Sequence, residues 1–474
     1  GKLVIGPAGE HLVHYAGAFS GERTAGRTGM GAVMGAKNLK AIVAGGARKT
    51  ETTHPEKTKK VLRKWVKLLK EHPLTGEGLP KYGSGMLLRT MQEKGLLATH
   101  NFKYGRFEDY DNISGHTLAE TRLIKNVGCV TCPINCGRQV EVDGKKVKGP
   151  ELETLALLGS NLDNNDLDTI IRWNYELDEL GMDTISTGGV IGFAMELHER
   201  GLWDSGLEFG KTDNISEMFR KIAYREGVGD ILADGTRAMA ERFGGADFSI
   251  NVKGLELAAY EPRAAAGQGV GYATANRGGC HLNAGYLVMM EGLVLSMNPH
   301  TPRSKAALTI MNQNLMEAIS ASGNCLFPLF SFVPAWPASH PKHWITGIIN
   351  RILPFSGPTV NPVNTLAGRF LPIHLPMLPH TKALSAVTGM KIHLGRLKDI
   401  GERGFNLERL VNIRLGMTSD ADALPKRFTH EPQDKDDPRS VVPLDALKRD
   451  YYRIRGWNPD GTPGERRKKR LGLA

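Results

Sequence analysis

The chain has 474 residues, of which 41% are hydrophobic and 23% are charged, a balance that excludes disordered and fibrous proteins. At roughly 100 to 200 residues per domain, this length allows two to four domains. Lys and Arg outnumber Asp and Glu by 61 to 50. The resulting net charge of +11 favours an acidic partner but does not choose among nucleic acid, anionic lipid and acidic redox proteins.

The first 50 residues are rich in Gly and Ala and contain short apolar runs. Residues 2–5 have the pattern of a buried strand in mid-domain, and no charged leader with a following apolar segment precedes them. We therefore expect residues 1–50 to be the end of a β-containing domain. We also expect that the natural protein extends upstream by about one domain.

Helical periodicity dominates the rest of the chain. It begins at Pro55, which suits the first turn of a helix, returns between 151 and 242, and recurs near 304–321. The Gly- and Ala-rich residues 264–279 predict a loop. The proline-rich residues 327–379 predict a packed surface loop, although a contact with a partner or a membrane surface is the alternative.

These patterns predict a mainly α fold, in which two largely helical domains follow the C-terminal remnant of an N-terminal α+β domain. The expected boundaries are 1–50, 51–255 and 256–474. No stretch approaches the roughly 20 uncharged apolar residues that cross a bilayer, so we expect no membrane span. The basic run at 466–470 is expected to be a solvated tail.

Three of the five cysteines form a C-x2-C-x3-C run at Cys129, Cys132 and Cys136. An odd number of cysteines with three crowded together does not suit a disulfide framework and favours a reducing, cytoplasmic compartment. Such a run can direct three thiolates at one metal centre from a tight turn. Buried, inert thiols are the alternative without a metal.

The fourth ligand decides which metal centre the run could hold. Zinc needs a fourth ligand close by, but the nearest downstream histidine, His198, lies in a helical pattern with no second ligand beside it. An iron-sulfur cluster often takes its fourth thiolate from a distant segment, and both Cys280 and Cys325 are available. The spacing therefore favours an iron-sulfur cluster.

Two segments share the outline of a helix end followed by a glycine and a terminal ligand. The first runs from Asp178 through Gly181 to Asp183, and the second from Ser320 through Gly323 to Cys325. Each is on its own an ordinary helix break. Carboxylates on such a turn can also accept hydrogen bonds from a flat heterocycle, and two similar turns suggest two similar halves of one ligand.

Glu151 and Glu153 open a predicted helix, and His281 lies in a Gly-rich loop. Carboxylates are common at helix starts because the helix dipole favours them, and a lone loop histidine is commonly structural. Both residue types can also act as general acids or bases.

In combination these segments resemble the aldehyde ferredoxin oxidoreductase family of tungsten or molybdenum bis-pyranopterin enzymes, over essentially the whole chain. The order of the motifs carries the resemblance, which rests on Ile5–Glu10, Gly26–Lys40, the cysteine run, Gly149–Thr154, Asp178–Asp183, Tyr272–His281 and Leu424–Phe428.

The resemblance implies a set of site residues. The cluster would be a [4Fe-4S] cluster, with Cys325 as its fourth ligand and Cys280 spare, and magnesium would bridge the pterin phosphates. Glu153 and His281 would be catalytic. The cofactor would be held by Arg23, Gly26, Arg27, Asp178, Gly181, Asp183, Arg277 and Asn324. The second turn departs from the family pattern, because Ser320 replaces Asp and Asn324 replaces Leu.

The implied activity is oxidation of an aldehyde to a carboxylic acid with water, with electrons passing to ferredoxin or an electron-transfer subunit. A homodimer is a further expectation. One alternative is another branch of the family that acts on a hydroxy acid, a carboxylic acid or an aromatic thioester. A cluster-bearing nucleic-acid-binding protein is the alternative from a different class, suggested by the +11 charge.

Overall fold

The computed structural model describes residues 1–47 and 50–473. Its secondary structure is mainly helical, with three small sheets, which confirms the expected fold class. The predicted boundary at 50 adjoins two residues outside the described part of the chain. Buried side chains from all three predicted domains join one continuous core, and the division into domains stays a prediction.

The N-terminal region is a four-stranded antiparallel sheet in the order β3-β2-β1-β4, with two short helices. Its elements are β1 Lys2–Ile5, α1 Pro7–Glu10, β2 Ala18–Ser20, β3 Arg23–Ala25, α2 Met30–Ala36 and β4 Ala41–Val43. The strand at 2–5 is confirmed, but the expectation that it is buried is wrong. Only Ile5 is buried, because the two helices cover one face of the sheet and Val4 and Ile42 stay exposed.

The first helical part contains the cysteine run between two paired strands. The strands are β5 Leu123–Val127, β6 Gly137–Val142, β7 Lys145–Lys148, β8 Asn251–Val252 and β9 Leu255–Glu256. The helices are α3 Pro55–Glu71, α4 Leu79–Tyr82, α5 Leu87–Lys94, α6 Gly115–Thr121, α7 Leu152–Leu157, α8 Leu167–Leu180, α9 Thr184–Glu199, α10 Ile215–Tyr224, α11 Val228–Leu232 and α12 Gly235–Phe243.

The second helical part is built around α14, which packs mainly against α19. The helices are α13 Ala266–Thr274, α14 Lys305–Ala321, α15 Ala335–Ser339, α16 Trp344–Ile352, α17 Gly357–Thr365, α18 His380–Thr388, α19 Leu394–Arg414, α20 Lys426–His430, α21 Leu444–Arg455 and α22 Glu465–Leu471.

Two predicted loops are helical. Residues 266–274 form the buried helix α13, because its small residues allow close approach, as where Gly271 faces the carbonyl of Ala284. The stretch 327–379 contains α15, α16 and α17 with 3-10 turns between them. Pro358 lies in the first turn of α17, and Pro328 and Pro354 lie in the first turns of two 3-10 helices, where the missing N–H costs nothing, while Pro362 is accommodated inside α17.

The basic run at 466–470 is not a solvated tail, because it lies in α22 and packs against α19. Arg467 and Arg470 both pair with the buried carboxylate of Glu402. No helix among residues 1–47 and 50–473 is long and apolar enough to cross a bilayer.

Candidate active site

The cysteine run lies at the end of a β-hairpin. Strands β5 and β6 pair up to Val127 and Gly137, so the loop between them carries Cys129, Cys132 and Cys136 as a compact unit. Cys129 is exposed, Cys132 half-buried and Cys136 buried. The three thiols of this loop therefore range from exposed to buried.

Cys325 approaches this loop from the second helical part. Burial, together with negative charge on Glu151, Cys325 and Cys132, raises the pKa of the Cys136 thiol to about 12 against the lowering effect of Arg23. Burial likewise raises the pKa of Cys325, as do Cys129 and Cys132. The four thiols thus lie within electrostatic reach of one another. Cys280 is buried elsewhere, in the loop that carries His281.

A zinc ion and an iron-sulfur cluster place different demands on these thiols. In the part of the chain that the structure describes, no three His, Cys, Asp or Glu side chains converge closely enough to hold one metal ion. A single zinc draws its sulfur ligands to about 2.3 Å. A cluster of several irons takes one thiolate per iron and suits thiols that surround a larger volume.

Arg23, on β3, adds positive charge beside the thiols. Burial lowers its pKa, but thiolate charge on Cys129, Cys136 and Cys325, together with Glu151, raises it overall. Thiolates gathered at one point repel each other, so a neighbouring guanidinium stabilises their ionised, metal-binding form.

The first turn is locked into the fold. Gly181 ends α8 with φ of +82°, and the Met182 N–H donates to Leu177 O at 2.9 Å. Asp183 then caps α9 by accepting from the Ser186 N–H at 2.9 Å. Asp178, one turn earlier, accepts a hydrogen bond from Lys148 Nζ at 3.3 Å.

Arg27 joins this turn to the histidine loop. Its Nε lies 3.5 Å from Asp183 Oδ2, its Nη1 donates to Gly279 O at 3.0 Å, and its Nη2 donates to Glu256 O. Gly26 lies beside the same carboxylate, and a Cβ on it would meet Asp183 Oδ1 at 3.2 Å.

The second turn has the same backbone but fewer contacts. Gly323 has φ of +72°, and the Asn324 N–H donates to Ile319 O at 3.2 Å. The Asn324 side chain bonds only within the turn, to Ser322. Arg277 is exposed, near Glu317.

Glu153 and His281 meet at the centre of the molecule, although 128 positions of sequence numbering separate them. Glu153 lies in the first turn of α7, where its Oε2 accepts from the Ala259 N–H at 2.8 Å. His281 Nδ1 lies 3.4 Å from Glu153 Oε1, and neither atom has a hydrogen-bond partner among the residues that the structure describes.

Burial sets the protonation of both groups. It raises the pKa of Glu153 to about 7, against the lowering effect of the Ala259 N–H and of Arg27. Burial, together with the positive charge of Arg27, lowers the pKa of His281 to about 3. The imidazole is therefore neutral near pH 7, where the carboxyl group can either accept or release a proton.

A cavity of about 180 Å³ opens beside this pair. Glu151, Tyr260 and Tyr286 also line it, and the two tyrosine hydroxyl groups bond each other at 2.7 Å. Its remaining wall is mainly apolar and includes the 3-10 turn Phe327–Phe332. The sequence did not identify Tyr260 and Tyr286 as site residues. They belong to different segments, and neither lies in a recognisable motif.

Comparisons with known proteins decide the family. The model described as "Aldehyde ferredoxin oxidoreductase, domains 2 & 3" matches residues 60–473, and the N-terminal domain model of the same family matches residues 1–46. The chain belongs to the aldehyde ferredoxin oxidoreductase family. It is an oxidoreductase of that type.

Two curated relatives of the aldehyde ferredoxin oxidoreductase family cover nearly the whole chain. Tungsten-containing aldehyde ferredoxin oxidoreductases of Pyrococcus horikoshii and Pyrococcus abyssi are 39% and 40% identical, over 99% of this chain and 73% of theirs. The WOR-like subunit of an aliphatic sulfonate oxidoreductase from Pyrococcus furiosus is 31% identical over 60% of this chain and 48% of its own length.

A solved structure matches the fold throughout. The active site complex BamBC of benzoyl coenzyme A reductase, in complex with 1,5-dienoyl-CoA, superposes with a TM-score of 0.70 and 22% identity. The match covers 100% of this chain and 73% of that one. At this identity the likeness supports the fold and not the substrate.

Proposed function

We propose that this family member oxidises aldehydes to carboxylic acids with water at a tungsten or molybdenum bis-pyranopterin centre. One observation carries the proposal: the buried pair Glu153 and His281 shares a cavity with Glu151, whose charge also acts on Cys136 in the group of four thiols. Groups that can transfer protons are thus adjacent to the candidate ligands of an electron-transfer cluster. Oxidation of an aldehyde with water needs both, because it releases protons and two electrons.

The chain offers suitable contacts for that cofactor. Within residues 1–47 and 50–473, Arg27 Nε, Glu153 Oε1 and His281 Nδ1 are buried polar atoms without hydrogen-bond partners, and buried polar atoms are rarely left so. Two matching turns would each hold one pterin, through Asp178, Gly181 and Asp183 and through Asn324, with Gly26, Arg27 and Arg277 around them. When bound, the metal and its pterins accept the two electrons.

The cysteine ligands would be Cys129, Cys132, Cys136 and Cys325 around a [4Fe-4S] cluster. Arg23 offsets the charge of the thiolates. Cys129 and the neighbouring Val130 are exposed, which supports delivery of electrons to ferredoxin or an electron-transfer subunit in the cytoplasm. Magnesium between pterin phosphates and a homodimeric assembly belong to the same proposal.

Glu153 would accept a proton from water as the water oxygen bonds to the carbonyl carbon. Overall, the substrate gains one water oxygen, loses its aldehydic C–H bond, and releases two protons and two electrons. Because the pKa of Glu153 is about 7, its carboxylate is available above that pH and can release the proton again to solvent.

His281 would stabilise the carbonyl oxygen as negative charge develops there. Its depressed pKa keeps the imidazole neutral, so it carries one N–H to donate and no fixed charge. Its ring packs against Tyr260 and Tyr286, which fixes its orientation beside Glu153.

Glu153→Gln and His281→Asn test this assignment. We expect each to lower turnover with an artificial dye acceptor by about 100-fold or more, with metal and iron content retained. Turnover of the unmodified enzyme should rise through pH 7, and Glu153→Gln should lose that rise. Glu208→Gln, at an exposed carboxylate paired with Lys211, is the control. Full activity in Glu153→Gln would contradict the role of Glu153.

Another branch of the family is the second candidate, since the chain is also similar to the subunit of a sulfonate oxidoreductase. Elemental analysis for tungsten, molybdenum and iron, followed by a substrate screen, separates these possibilities. Iron or zinc alone, with salt-dependent DNA binding, would instead support the nucleic-acid alternative.

A further inference from the structure

The cavity beside Glu153 and His281 limits the size and the charge of the substrate. Its volume of about 180 Å³ is small for a binding site, since drug-sized ligands occupy about 300 Å³ or more. An engineered apolar cavity of about 150 Å³ binds benzene. The space here therefore suits one ring with a carbonyl group, or an aliphatic chain of similar volume.

The wall opposite the catalytic pair is apolar. It consists of leucine, methionine, phenylalanine and valine side chains, namely Met289, Met290, Leu315, Met316, Leu326, Phe327, Leu329, Phe330, Phe332 and Val333. The rings of Tyr286 and Phe330 are nearly parallel, with an interplanar angle of 10° and centroids 6.2 Å apart. Tyr286 has φ of +54°, an unusual conformation for tyrosine that directs it into this site.

The charge of the wall is one-sided. None of the lining residues in the described chain is Lys or Arg, whereas Glu151 and Glu153 are both present. An anionic substituent would lie close to the carboxyl groups of Glu151 and Glu153, and no Lys or Arg of the described cavity wall would pair with it. The site thus disfavours carboxylates, sulfonates and phosphates.

We infer that the substrate is an uncharged aldehyde with a single ring or a compact aliphatic group. This inference rests on the proposed aldehyde oxidation. It assigns selectivity to the turn Phe327–Phe332, which begins two residues after Cys325, and to Phe330 as the residue that limits ring size. A thioester of coenzyme A, with its phosphates and its length, does not fit the enclosed part of the cavity.

The test is a substrate series with the complete enzyme, prepared without oxygen. We expect kcat/KM for 4-methylbenzaldehyde to exceed that for 4-formylbenzoate by about 100-fold or more, since the two differ mainly in charge. 2-Naphthaldehyde should be a poor substrate. In Phe330→Ala, the ratio of 2-naphthaldehyde to benzaldehyde turnover should rise about 10-fold, while Leu202→Ala, at an exposed site, should not change it.

The outcomes separate this inference from the proposed function. Equal turnover of 4-methylbenzaldehyde and 4-formylbenzoate, or of benzaldehyde and 2-naphthaldehyde, would overturn the inference and leave aldehyde oxidation standing. If no aldehyde is oxidised by enzyme with full metal content, both fail. The series on the unmodified enzyme decides the question even if Phe330→Ala does not fold.

A second inference concerns the surface of residues 318–398. Between Glu317 and Asp399 the sequence contains no Asp or Glu. It contains seven basic residues, and all except Lys398 are exposed and form no ion pair in the described chain: Lys342, Arg351, Arg369, Lys382, Lys391 and Arg396. The unpaired Lys57, Lys60 and Lys64 of α3 line a cleft with Lys382 and Lys391.

Large apolar side chains are exposed in the same segment. Trp344 is 68% exposed, and Ile352 and Phe355 are each 61% exposed. Trp344, Ile348 and Ile352 follow a four-residue spacing that places them on one face of α16. Trp336 of α15 adjoins this face through ring contacts with His340 and His343.

We propose that this segment binds the surface of an anionic lipid bilayer. An apolar helix face with exposed tryptophan, beside basic side chains and without carboxylates, has the chemistry of a helix that lies in the membrane interface. An apolar protein partner would not by itself require the absence of acidic residues over the whole segment. The helix α16 is far too short to cross a bilayer.

Sedimentation with vesicles tests this surface. We expect binding to equal mixtures of phosphatidylglycerol and phosphatidylcholine, little binding to phosphatidylcholine alone, and weaker binding in high salt. The double variant Trp344→Glu, Ile352→Glu should lose most of it, and Leu202→Glu should not. Absence of binding to anionic vesicles at low salt, or equal binding by the double variant, would overturn the proposal. Self-association that the double variant abolishes, without vesicle binding, would assign the surface to a second copy.

Discussion

The two turns of the site share one backbone conformation but not one environment. Each ends a long helix with a glycine in the left-handed region, at Gly181 and Gly323. In each, the next N–H reaches back five residues, from Met182 to Leu177 and from Asn324 to Ile319. This is the hydrogen-bond pattern of a Schellman motif.

The first turn is enclosed by the rest of the chain. The backbone of Gly181 faces that of Gly6, the Gly17 N–H donates to Gly181 O at 2.9 Å, and Asp183 is buried. A Cβ at Gly323, by contrast, would meet nothing within 4 Å. The protein alone therefore fixes the first turn, whereas the second depends on the group that its cysteine would bind.

The largest expected effect lies at the second turn. Cys325→Ser should abolish the iron-sulfur cluster, because it removes a ligand that no nearby side chain replaces. Cys280→Ser should retain it, since Cys280 lies apart from the other four thiols. Iron content and visible absorption of protein prepared without oxygen measure both. Loss of the cluster in Cys280→Ser with retention in Cys325→Ser would reverse this assignment.

Substitution of Gly181 and Gly323 tests how much the packing around each turn affects the free energy of unfolding. Gly181→Ala should lower the free energy of unfolding by about 3 kcal/mol or more, because its Cβ would approach Gly6 N to 2.7 Å in addition to the strain of positive φ. Gly323→Ala should cost only about 1 kcal/mol, from the backbone strain alone. Urea unfolding of both variants gives the difference. Equal costs would mean that the two turns are equally enclosed.

Two substitutions of Asp183 distinguish a structural role from a role in cofactor binding. Asp183→Ala should cost about 1 to 2 kcal/mol, because it removes the cap on α9 and the ion pair with Arg27. Asp183→Asn keeps an oxygen for the cap and should be nearly as stable as the parent, yet contain less pterin. Thermal unfolding and pterin analysis measure these effects. Normal pterin content in Asp183→Asn would remove Asp183 from the cofactor site.

The smallest effect is expected at Ser320, the counterpart of Asp178. Ser320→Ala should change the free energy of unfolding by less than about 0.5 kcal/mol, because the side chain is exposed and makes no hydrogen bond in the described chain. Asp178→Ala should cost up to about 1 kcal/mol, through its ion pair with Lys148. A larger loss of stability in Ser320→Ala than in Asp178→Ala would contradict this prediction.

Local sequence signals predicted the elements that depend on local chemistry. Helix α3 begins at the predicted Pro55, and α14 agrees with the predicted 304–321 to within one residue, because both combine a helical apolar pattern with an identifiable end. Helix α13 escaped prediction because its burial comes from close approach of small residues, which leaves no amphipathic pattern. The helices of 327–379 escaped because proline was taken to interrupt helices, whereas α17 has one proline in its first turn and accommodates another, Pro362, in its interior.

The site shows the same division. The cysteines, Glu153 and His281 lie in motifs and could be named as candidates from the sequence. The Tyr260 and Tyr286 pair, and the two carbonyl groups bonded by Arg27, depend on segments that only the tertiary fold brings together. Pairing over such distances leaves no trace in one sequence.

The docking of α22 has a practical consequence for handling the protein. Burial would raise the pKa of the Glu402 carboxyl group, but Arg467, Lys398 and Arg470 hold it below its usual range. Two of these three cations come from the final helix. Trimming the chain before Glu465 would therefore leave a buried carboxylate with Lys398 as its main counter-charge, and the damage would reach the centre of α19. A purification tag at the C-terminal side should leave α22 whole.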